Sequence, residues 1–574
     1  MDRVIQSLMT SFAQKNELSS MPESSLFEAF STYCIVSKVM DNDFNYNDID
    51  DMQIGNGDDS GIDAIGILVN GEFVSNLQAL EDILSEAKKN LDILMIMIQA
   101  KTSSKFAGSE MRVFGDGVSD LLRSEPRFRQ NADLHEKWKM VNKLIEHASA
   151  IKSFRGRAYY VTTGVWNSDE NLTGTIKLIS EDVCTQNVFT DFDYKPVDSR
   201  MLRDYFTDST TKISREIYFP KRVVMPEVTN IHEGWSGFLS GKEFLKLIVD
   251  DDGDLRRSLF YDNVRDFQGD AGANIGIRET LESSHPENMS ILNNGVTIIA
   301  DSARVARDNL ILENYQIVNG CQTSYVMYNC RNNINETVFL PVKIIVTTNS
   351  EVSTKITISN NSQTAVKEED LLALTEVQKE LEAYFNSFEE KKRLFYERRS
   401  NQYNSRTDVE KVRIVPLSIA LRSYSAMFLA IPHYASRYYG RLYKDYSQQV
   451  FDGKKSDIAF YTAAYTLYKY NFYIRNSAFD RKFAKFKYFV LLMVRLYLTG
   501  DATPEKSKKE IKKECEVINQ VLWNEKKCKE VMTKMIAVIE KIAGDQITSN
   551  QLTSKKYFLD EVLKQVLPPR GTKK

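Results

Sequence analysis

Cysteine, proline and histidine are scarce in this 574-residue chain, and each scarcity excludes a class of protein. The six cysteines lie far apart and form no C-x-x-C pair, which excludes a disulfide framework or a cysteine zinc site and favours reduced thiols. With only 12 prolines and 25 glycines, and with 42% hydrophobic residues, the composition is globular rather than fibrous or disordered. None of the five histidines stands in a catalytic or metal-binding spacing.

Long apolar runs and a strong net charge are also missing. The best membrane candidate, YFVLLMV at 488–494, stops at Arg495 and is far too short to span a bilayer. The opening MDRVIQSLMTSFAQKNEL has no continuous apolar stretch, so we predict no signal peptide. A net charge of −3 argues against a chain coated in basic residues, although it is compatible with a local basic groove. We therefore expect a cytoplasmic protein without membrane segments.

The length predicts two to four domains, and the sequence divides into three regions. Residues 1–210 follow the order helix, hairpin, strand, helix, strand, which is typical of an α/β fold. A composition shift near FPKRVVMPEV opens a second region, 220–375, in which strands and helices mix as in an α+β domain. Residues 376–574 are overwhelmingly helical in pattern, which predicts an all-α carboxy-terminal region.

Two apolar segments of the first region carry polar residues at their ends. Asp63 heads the strand-like GIDAIGILV, and Asn70-Gly71 predicts a hairpin turn after it. A helical insertion, LQALEDILSEAKKN, leads to LDILMIMIQAK, whose apolar character predicts a strand buried on both faces. Residues two apart on a strand point the same way, so Gln99 and Lys101 share a face. Asp63 can reach that face if the two strands are neighbours.

Metal-dependent hydrolysis of a phosphodiester needs these side-chain types. Asp63 and a second ligand, Gln99, would hold a divalent cation, and Lys101 would orient water or neutralise charge in the transition state. Glu28, in the helical segment SSLFEAFSTYCIVSKVM, is expected to pack behind the strands and complete the site. The structural alternative is that Asp63 caps a turn and Lys101 is a solvated strand end. We expect Asp58 and its neighbour Asp59 to be loop residues, with assistance to the metal as the alternative.

The segment GDDSGIDAIGI, followed by MIQAKTSSKF, resembles the PD-(D/E)xK nucleases, in the Mrr-like branch with a D…QxK pattern. The helical insertion departs from that pattern and gives Asp63 and Gln99 a separation of 36 positions. The resemblance implies a restriction-endonuclease-like fold and a nucleic-acid substrate, with DNA favoured over RNA. It implies Mg²⁺, or Mn²⁺, held by Asp63, Gln99 and Glu28, with Lys101 completing the catalytic set. A homo-oligomer, in the simplest case a dimer, would suit double-strand cleavage.

Five further segments resemble the AIPR family, whose members are associated with abortive infection and phage resistance. They are LFYDNVRDFQG, ILNNGVTIIAD, YQIVNGCQTSYVMYNC, ISNNSQT and FYERRSNQY, and the similarity covers roughly residues 220–410. The resemblance implies an AIPR core domain over 220–375 and bacterial defence against phage. An effector of this kind needs regulation, so we expect a phage-derived or nucleotide trigger.

The Asn-Gly blocks also have a physical interpretation. ILNNGVTII predicts an Asn-Gly turn into a strand, and QIVNGCQTSYVMY predicts a strand, a tight glycine loop and a helix that opens near Thr323 or Ser324. Free N–H groups at a helix start suit an anion, whereas amides in turns usually satisfy backbone groups instead. The predicted ligand-binding residues are Asn293, Asn294, Asn319, Gly320, Gln322, Thr323, Asn361 and Gln363.

A basic and aromatic segment lies between Lys391 and Arg413, where eight basic residues face three acids. Basic side chains neutralise phosphates and aromatic rings stack on bases, so this segment is a candidate nucleic-acid contact, with Arg398 and Arg399 favoured. A solvated helical face is the alternative interpretation.

Two hypotheses about function follow. In the first, the protein is a Mg²⁺-dependent nuclease effector of anti-phage defence, a hydrolase gated by its AIPR region. In the second, it is a nucleotide- or nucleic-acid-binding sensor with a vestigial nuclease-like domain. The second stays open because a neutral glutamine binds metal less strongly than a glutamate.

Overall fold

The structure is a computed structural model. It describes the chain apart from residues 1, 41–43, 56, 87–89, 211–212, 251–252, 254, 261–271, 361–371, 374, 400–401, 404–405, 407, 505, 549–551, 554–555 and 567–574. Among the described residues, no helix is both long and apolar enough to cross a membrane.

The first region contains a mixed sheet in the strand order β2-β1-β3-β4-β5. The strand β1 is antiparallel to β2 and β3, whereas β3, β4 and β5 run parallel. Asn70 and Gly71, with φ of 53° and 85°, form the tight turn between β1 and β2, because two positive φ values match the twist of a hairpin. The predicted hairpin and the buried strand that ends at Lys101 are confirmed. The strands are Ala64–Val69 (β1), Glu72–Phe73 (β2), Leu91–Lys101 (β3), Ile151–Thr162 (β4) and Asp191–Val197 (β5).

Helices cover both faces of this first sheet. Apolar residues of α4 to α7 pack on one face, and those of α1 to α3 and α8 belong to the core on the other. The alternation of β3 divides its side chains between the two cores, with Met95 and Met97 in one and Ile96 and Ile98 in the other. The helices are Arg3–Lys15 (α1), Glu23–Val39 (α2), Tyr46–Met52 (α3), Leu77–Glu86 (α4), Gly108–Leu121 (α5), Ala132–Glu146 (α6), Glu170–Cys184 (α7) and Ser199–Thr210 (α8).

The central region has a second sheet and its own hydrophobic core, which runs from Ile217 to Val346. The strand order is β6-β10-β9-β11-β8-β7, and only the pairing of β9 with β11 is parallel among the described strands. The strands are Ser214–Tyr218 (β6), Arg222–Val224 (β7), Glu233–Ser240 (β8), Val296–Ala306 (β9), Asn309–Asn319 (β10) and Phe339–Val346 (β11). The helices are Gly241–Ile248 (α9), Gly272–Glu282 (α10), Met289–Leu292 (α11), Cys321–Asn329 (α12) and Ser350–Asn360 (α13).

The carboxy-terminal region is mainly helical, as predicted. Two short parallel strands, Phe395–Glu397 (β12) and Ile414–Pro416 (β13), interrupt it near its start. Its helices are Glu376–Asn386 (α14), Leu417–Phe428 (α15), Pro432–Ala435 (α16), Tyr439–Val450 (α17), Asp457–Arg475 (α18), Lys487–Thr499 (α19), Lys508–Leu522 (α20), Glu525–Ala543 (α21) and Lys556–Val566 (α22).

One hydrophobic core joins the first and last regions. Phe27 and Phe30 of α2 belong to the same buried cluster as Phe460 of α18, Leu491 of α19 and Phe558 of α22. Polar contacts cross the same boundary: Lys487 pairs with Asp51 at 3.0 Å, and Asn471 donates to Asn47 at 2.7 Å. The two ends of the described chain therefore pack as one body, a relation that periodicity in the sequence does not indicate.

Candidate active site

The pairing of β1 with β3 brings Asp63 to the polar end of β3. Ala64 pairs with Ile98, so Asp63, one residue earlier, lies beside the end that carries Gln99 and Lys101. The Asp63 backbone N–H donates to the Ile98 carbonyl at 2.8 Å, and its carboxylate Oδ2 accepts from the Ala100 N–H at 2.7 Å. These two bonds hold the carboxylate against β3.

Gln99 is almost fully buried, with 2% of its surface exposed. Its Oε1 has no hydrogen-bond partner among the described residues. Its Nε2 lies against Gly61, where an added Cβ would stand 2.9 Å away. A buried amide oxygen without a partner costs free energy, and an amide oxygen is a ligand type that Mg²⁺ accepts. The Gln99 oxygen therefore fits the expected metal ligand.

Glu28 reaches the site from α2, and its charge interacts with those of Asp63 and Lys101. Burial and then repulsion from Asp63 raise the pKa of Glu28 from 4.5 to about 7, against the opposing effect of Lys101. The helix is tied to the strands by a short chain of hydrogen bonds. Thr32 donates to the Glu28 carbonyl at 2.8 Å, and Gln53, which bridges to Ala64, donates to the Thr32 hydroxyl at 3.0 Å.

The pKa of the Asp63 carboxyl is raised as well. Burial raises its pKa from 3.8 to about 6, although the hydrogen bond from Ala100 and the charge of Lys101 lower it. Two half-buried acids thus share one nearby lysine. Their mutual repulsion would be relieved by a bound cation, which is the electrostatic condition that a metal site requires.

A strained loop places a further acid, Asp59, at the site. The charge of Asp59 raises the pKa of both Glu28 and Asp63, so it lies within electrostatic reach of the predicted ligands. Its carboxylate accepts from the Gly61 N–H at 2.8 Å, and Asn131, the N-cap residue of α6, holds the loop by donating to the Gly57 carbonyl at 2.8 Å. The loop residues with positive φ are Gly57, Asp58, Ser60 and Gly61.

Two residues near the site were not predicted. Tyr160 of β4 is the register partner of Gln99, and its hydroxyl donates to Glu110 of α5 at 3.0 Å. The pKa of Tyr160 is raised by burial first, then by Glu110, and in smaller part by Asp63. The apolar pattern around Tyr160 indicates a core strand, so nothing in the sequence distinguishes it from a packing residue.

The acids at the site do not yet form a complete cation cage. In the described residues, no group of three or more His, Cys, Asp or Glu side chains is arranged to hold a metal ion. The predicted ligand set contains two carboxylates and one amide, Glu28, Asp63 and Gln99. A cation here would rely on the amide oxygen and on water for the rest of its coordination.

The two Asn-Gly blocks meet in the central region. Gly320, with φ of 100°, caps α12, which begins at Cys321, so the helix opens two residues before the predicted Thr323. The Gly295 N–H donates to the Asn293 side-chain oxygen at 2.8 Å, and the Asn293 side-chain nitrogen donates to the Thr323 hydroxyl at 3.1 Å. These contacts agree with the interpretation that the amides support turns.

The other predicted ligand-binding residues of these blocks do not join the contact between Asn293 and Thr323. Gln322 accepts from Asn274 at 2.8 Å, Asn294 is exposed, and Asn319 ends β10. Asn361 and Gln363 lie outside the described residues. The structure therefore brings Asn293 to Thr323 beside Gly320, without adding Asn294 to that contact.

Arg398 occupies an interior position in the basic segment. It is 6% exposed, its Nε donates to Glu382 at 3.0 Å, and its Nη1 donates to the Ala373 carbonyl at 2.7 Å. The neighbouring rings of Tyr396 and Tyr403 are also buried, with Tyr403 donating to the Tyr396 carbonyl. Arg399 is half-buried. Because Arg398 is already paired inside the protein, its contacts are those of a structural ion pair.

The fold and the site together define a mixed α/β protein with two large sheets, a helical carboxy-terminal region that carries a short two-stranded sheet, and a polar cluster of two acids, an amide and a lysine. Residues 260–551 match the family model described as AIPR protein, which is just over half of the 574 residues. The chain belongs to the AIPR family, and membership suggests a role in abortive infection against phage. No curated protein and no solved structure matched the sequence. The family match begins after the candidate site, so the site is argued from its geometry alone.

Proposed function

We propose that the protein is a metal-dependent nuclease effector of abortive infection. The observation that carries the proposal is the meeting of Asp63, Gln99 and Lys101 at one end of β3, with Glu28 beside them. These residues come from a helix, a hairpin and a strand, and the fold gathers them at one point. A pair of solvated strand ends would not produce two half-buried acids of raised pKa beside a buried amide oxygen that has no hydrogen-bond partner among the described residues.

In the proposed mechanism, Asp63 and the Gln99 oxygen hold Mg²⁺ or Mn²⁺, and Glu28 supports the cation or the attacking water. When bound, the cation supplies Lewis-acid stabilisation of the phosphoryl oxygens. Lys101 orients the water and offsets the negative charge that develops on the phosphate. Without the cation the pKa of Glu28 is raised to about 7, and a bound cation would lower it, so that Glu28 would be ionised and able to accept the proton of the attacking water at neutral pH. DNA is the favoured substrate, and a dimer would place one site on each strand.

The test is cleavage by the purified full-length protein with Mg²⁺ or Mn²⁺, with and without EDTA, on plasmid, linear and single-stranded DNA and on RNA. Lys101→Ala and Asp63→Ala should abolish cleavage while leaving the circular-dichroism spectrum and the melting temperature close to those of the wild type. Lys105→Ala is the matched control, because Lys105 is an exposed lysine four residues further on. Full activity in the Lys101 variant would refute the site.

A second candidate function is a nucleic-acid- or nucleotide-binding sensor without turnover. It is favoured by the neutral charge of Gln99 and by the incomplete acidic cage among the described residues. The cleavage assay separates the two, since a sensor would retain DNA in a gel-shift experiment and release no product with any divalent cation.

A further inference from the structure

A cavity of about 720 Å³ lies between the first region and the carboxy-terminal helices. It is lined by residues of α3 and α6 on one side and by segments around Arg422 and Lys485 on the other. None of Glu28, Asp63, Gln99 and Lys101 lines it, so it is distinct from the candidate active site. Its volume is in the range of sites that hold small organic ligands.

Lys137 of α6 lines this cavity and carries a buried ammonium group. The residue is 4% exposed, and its Nζ has no hydrogen-bond partner among the described residues. Nζ lies over the ring of Phe73, 5.8 Å from the ring centroid. An ammonium removed from water without a partner is costly, and burial accordingly lowers the pKa of Lys137. An anion entering the cavity would supply the missing partner.

The acids that face Lys137 are already engaged by other groups. They are Asp51, Asp133 and Glu136, and a second cation, Arg481, also faces it. Asp51 pairs with Lys487 at 3.0 Å, Asp133 lies 3.9 Å from Arg481, and Glu136 accepts from the Leu77 backbone N–H at 3.2 Å. These acids therefore do not neutralise Lys137 by direct contact.

Lys485 provides a second cation in the cavity lining. Burial lowers its pKa to about 8, and the acids that face it, Asp133 and Glu136, are two of the three that face Lys137. Aromatic rings, amides and carboxylates also belong to the lining, among them Phe73, Tyr439, Asn76, Asp48 and Glu72. Two cations with aromatic and amide neighbours suit a ligand that has both a polyanionic group and a planar ring.

We propose that this cavity binds a nucleoside phosphate, with its phosphate groups on Lys137 and Lys485 and its base against the aromatic rings. Gln53, Gly55 and Asn131 line the same cavity. Gln53 bonds to Thr32 of the Glu28 helix, and Asn131 holds the loop that carries Asp59. Occupancy of the cavity would therefore bias the acids of the candidate active site. This regulatory part rests on the proposed function, whereas the binding itself does not.

Binding is tested on the full-length protein in EDTA, with ATP, AMP, adenosine and inorganic pyrophosphate as probes in thermal-shift and calorimetric titrations. We expect ATP to raise the melting temperature, AMP to raise it less and adenosine to leave it unchanged. Pyrophosphate should bind more weakly than ATP, because it lacks the ring. Equal binding of pyrophosphate and ATP would overturn the nucleoside part, and no response to ATP or AMP would overturn the site.

Three variants locate the binding site. Lys137→Met should weaken ATP binding about tenfold or more, since it removes a buried partner of the phosphates, and should raise the melting temperature of the ligand-free protein. Lys485→Met should also weaken ATP binding. This variant still tests the site if the Lys137 variant fails to fold. Lys139→Met, on the same helix but outside the cavity lining, should bind ATP like the wild type. Wild-type affinity in both the Lys137 and the Lys485 variants would refute the proposal.

The binding assay is independent of cleavage. Lys101→Ala should bind ATP as the wild type does. Loss of cleavage can therefore be distinguished from loss of ATP binding. If the protein binds ATP but cuts nothing, the nuclease proposal fails and the cavity proposal stands.

Discussion

At the residue scale, Glu28 and Asp63 are carboxyl groups whose negative charge is offset only in part by cations of the protein. Burial is the largest contribution to both raised pKa values, and Lys101 is the one cation that moderates both. Gln99 adds a buried oxygen without a hydrogen-bond partner in the described residues. A positive charge close to their oxygens would stabilise all three groups.

The raised pKa values predict how stability depends on pH in the absence of metal. Both acids hold a proton more tightly in the folded than in the unfolded protein, so their favourable contribution is present below about pH 4 and is lost as the pH rises through 6 to 7. Glu28→Gln and Asp63→Asn each replace an acid by a group that does not ionise, so the corresponding loss of stability with rising pH disappears. In EDTA, the melting temperature of each variant should therefore fall less than that of the wild type between about pH 5 and pH 8.

Asp193→Asn is the control for this titration, because Asp193 is exposed and lies on β5 away from the site. It should follow the wild-type curve. Parallel curves for the wild type and the two site variants would show that the surroundings of the two acids in solution do not raise their pKa values.

The unpartnered oxygen of Gln99 predicts the result of a second substitution. Gln99→Glu adds a carboxylate beside Asp63 and Glu28, so the affinity for Mn²⁺ should rise by about tenfold, and the metal-free protein should become less stable at neutral pH. Calorimetric titration with Mn²⁺ and thermal unfolding in EDTA measure the two effects. Unchanged affinity would mean that the Gln99 side chain does not face the cation.

At the scale of elements, the loop of residues 57–61 positions Asp59 and closes over Gln99. Gly57 and Gly61 have similar backbones, with φ of 68° and 74°, but their surroundings differ. An added Cβ at Gly57 meets nothing within 4 Å, whereas at Gly61 it stands 2.9 Å from the Gln99 Nε2. The two glycines thus form a matched pair for separating backbone strain from contact with the site.

Alanine at either glycine should cost about 1 kcal/mol through the left-handed backbone. Gly61→Ala should cost more, because it displaces the Gln99 amide, and should also lower metal affinity and cleavage. Gly57→Ala should retain both. Equal losses of stability and activity in the two variants, measured by denaturant unfolding and the cleavage assay, would show that the Gly61 contact is unimportant.

The strands and the hairpin were predictable because their signals are local. The apolar run of β3 indicates a buried strand, and Asn70-Gly71 specifies a turn with positive φ. The meeting of Asp63 with Gln99 followed from those two features. The place of Asp59 did not, because its position depends on a loop held by Asn131 from a distant helix.

The basic segment shows why surface roles are harder to predict. Arg398 and Tyr396 have the composition of a nucleic-acid contact, but each is buried among partners that are distant in sequence. Periodicity shows that a face is apolar without showing what covers it. The sequence therefore predicts α2 and the carboxy-terminal helices, but it does not predict that they pack against each other.

At the scale of the whole molecule, the first region lacks a complete core of its own. One side of its sheet packs in the cluster that holds Phe460 and Leu491, whereas the central region closes its core between Ile217 and Val346. Removing the carboxy-terminal helices would expose Phe27, Phe30 and their neighbours. Exposed apolar surface of this kind leads to aggregation.

Fragments should therefore differ in solubility. A fragment of residues 1–212 should aggregate or bind a hydrophobic dye, and co-expression with residues 372–574 should recover soluble material that elutes as a complex. A fragment of residues 213–349 is the control and should be soluble alone. Gel filtration and dye fluorescence measure each outcome. A soluble, cooperatively unfolding 1–212 fragment would contradict the shared core.

The shared core also has a consequence in time. Ribosomes add about 5–20 residues per second, so α22, which contributes Phe558 to the cluster, emerges roughly half a minute to two minutes after α2. During that interval α2 cannot complete its packing against the carboxy-terminal helices. If the protein acts as the proposed nuclease, the helix that carries Glu28 would gain its full support only when almost all of the chain has been synthesised.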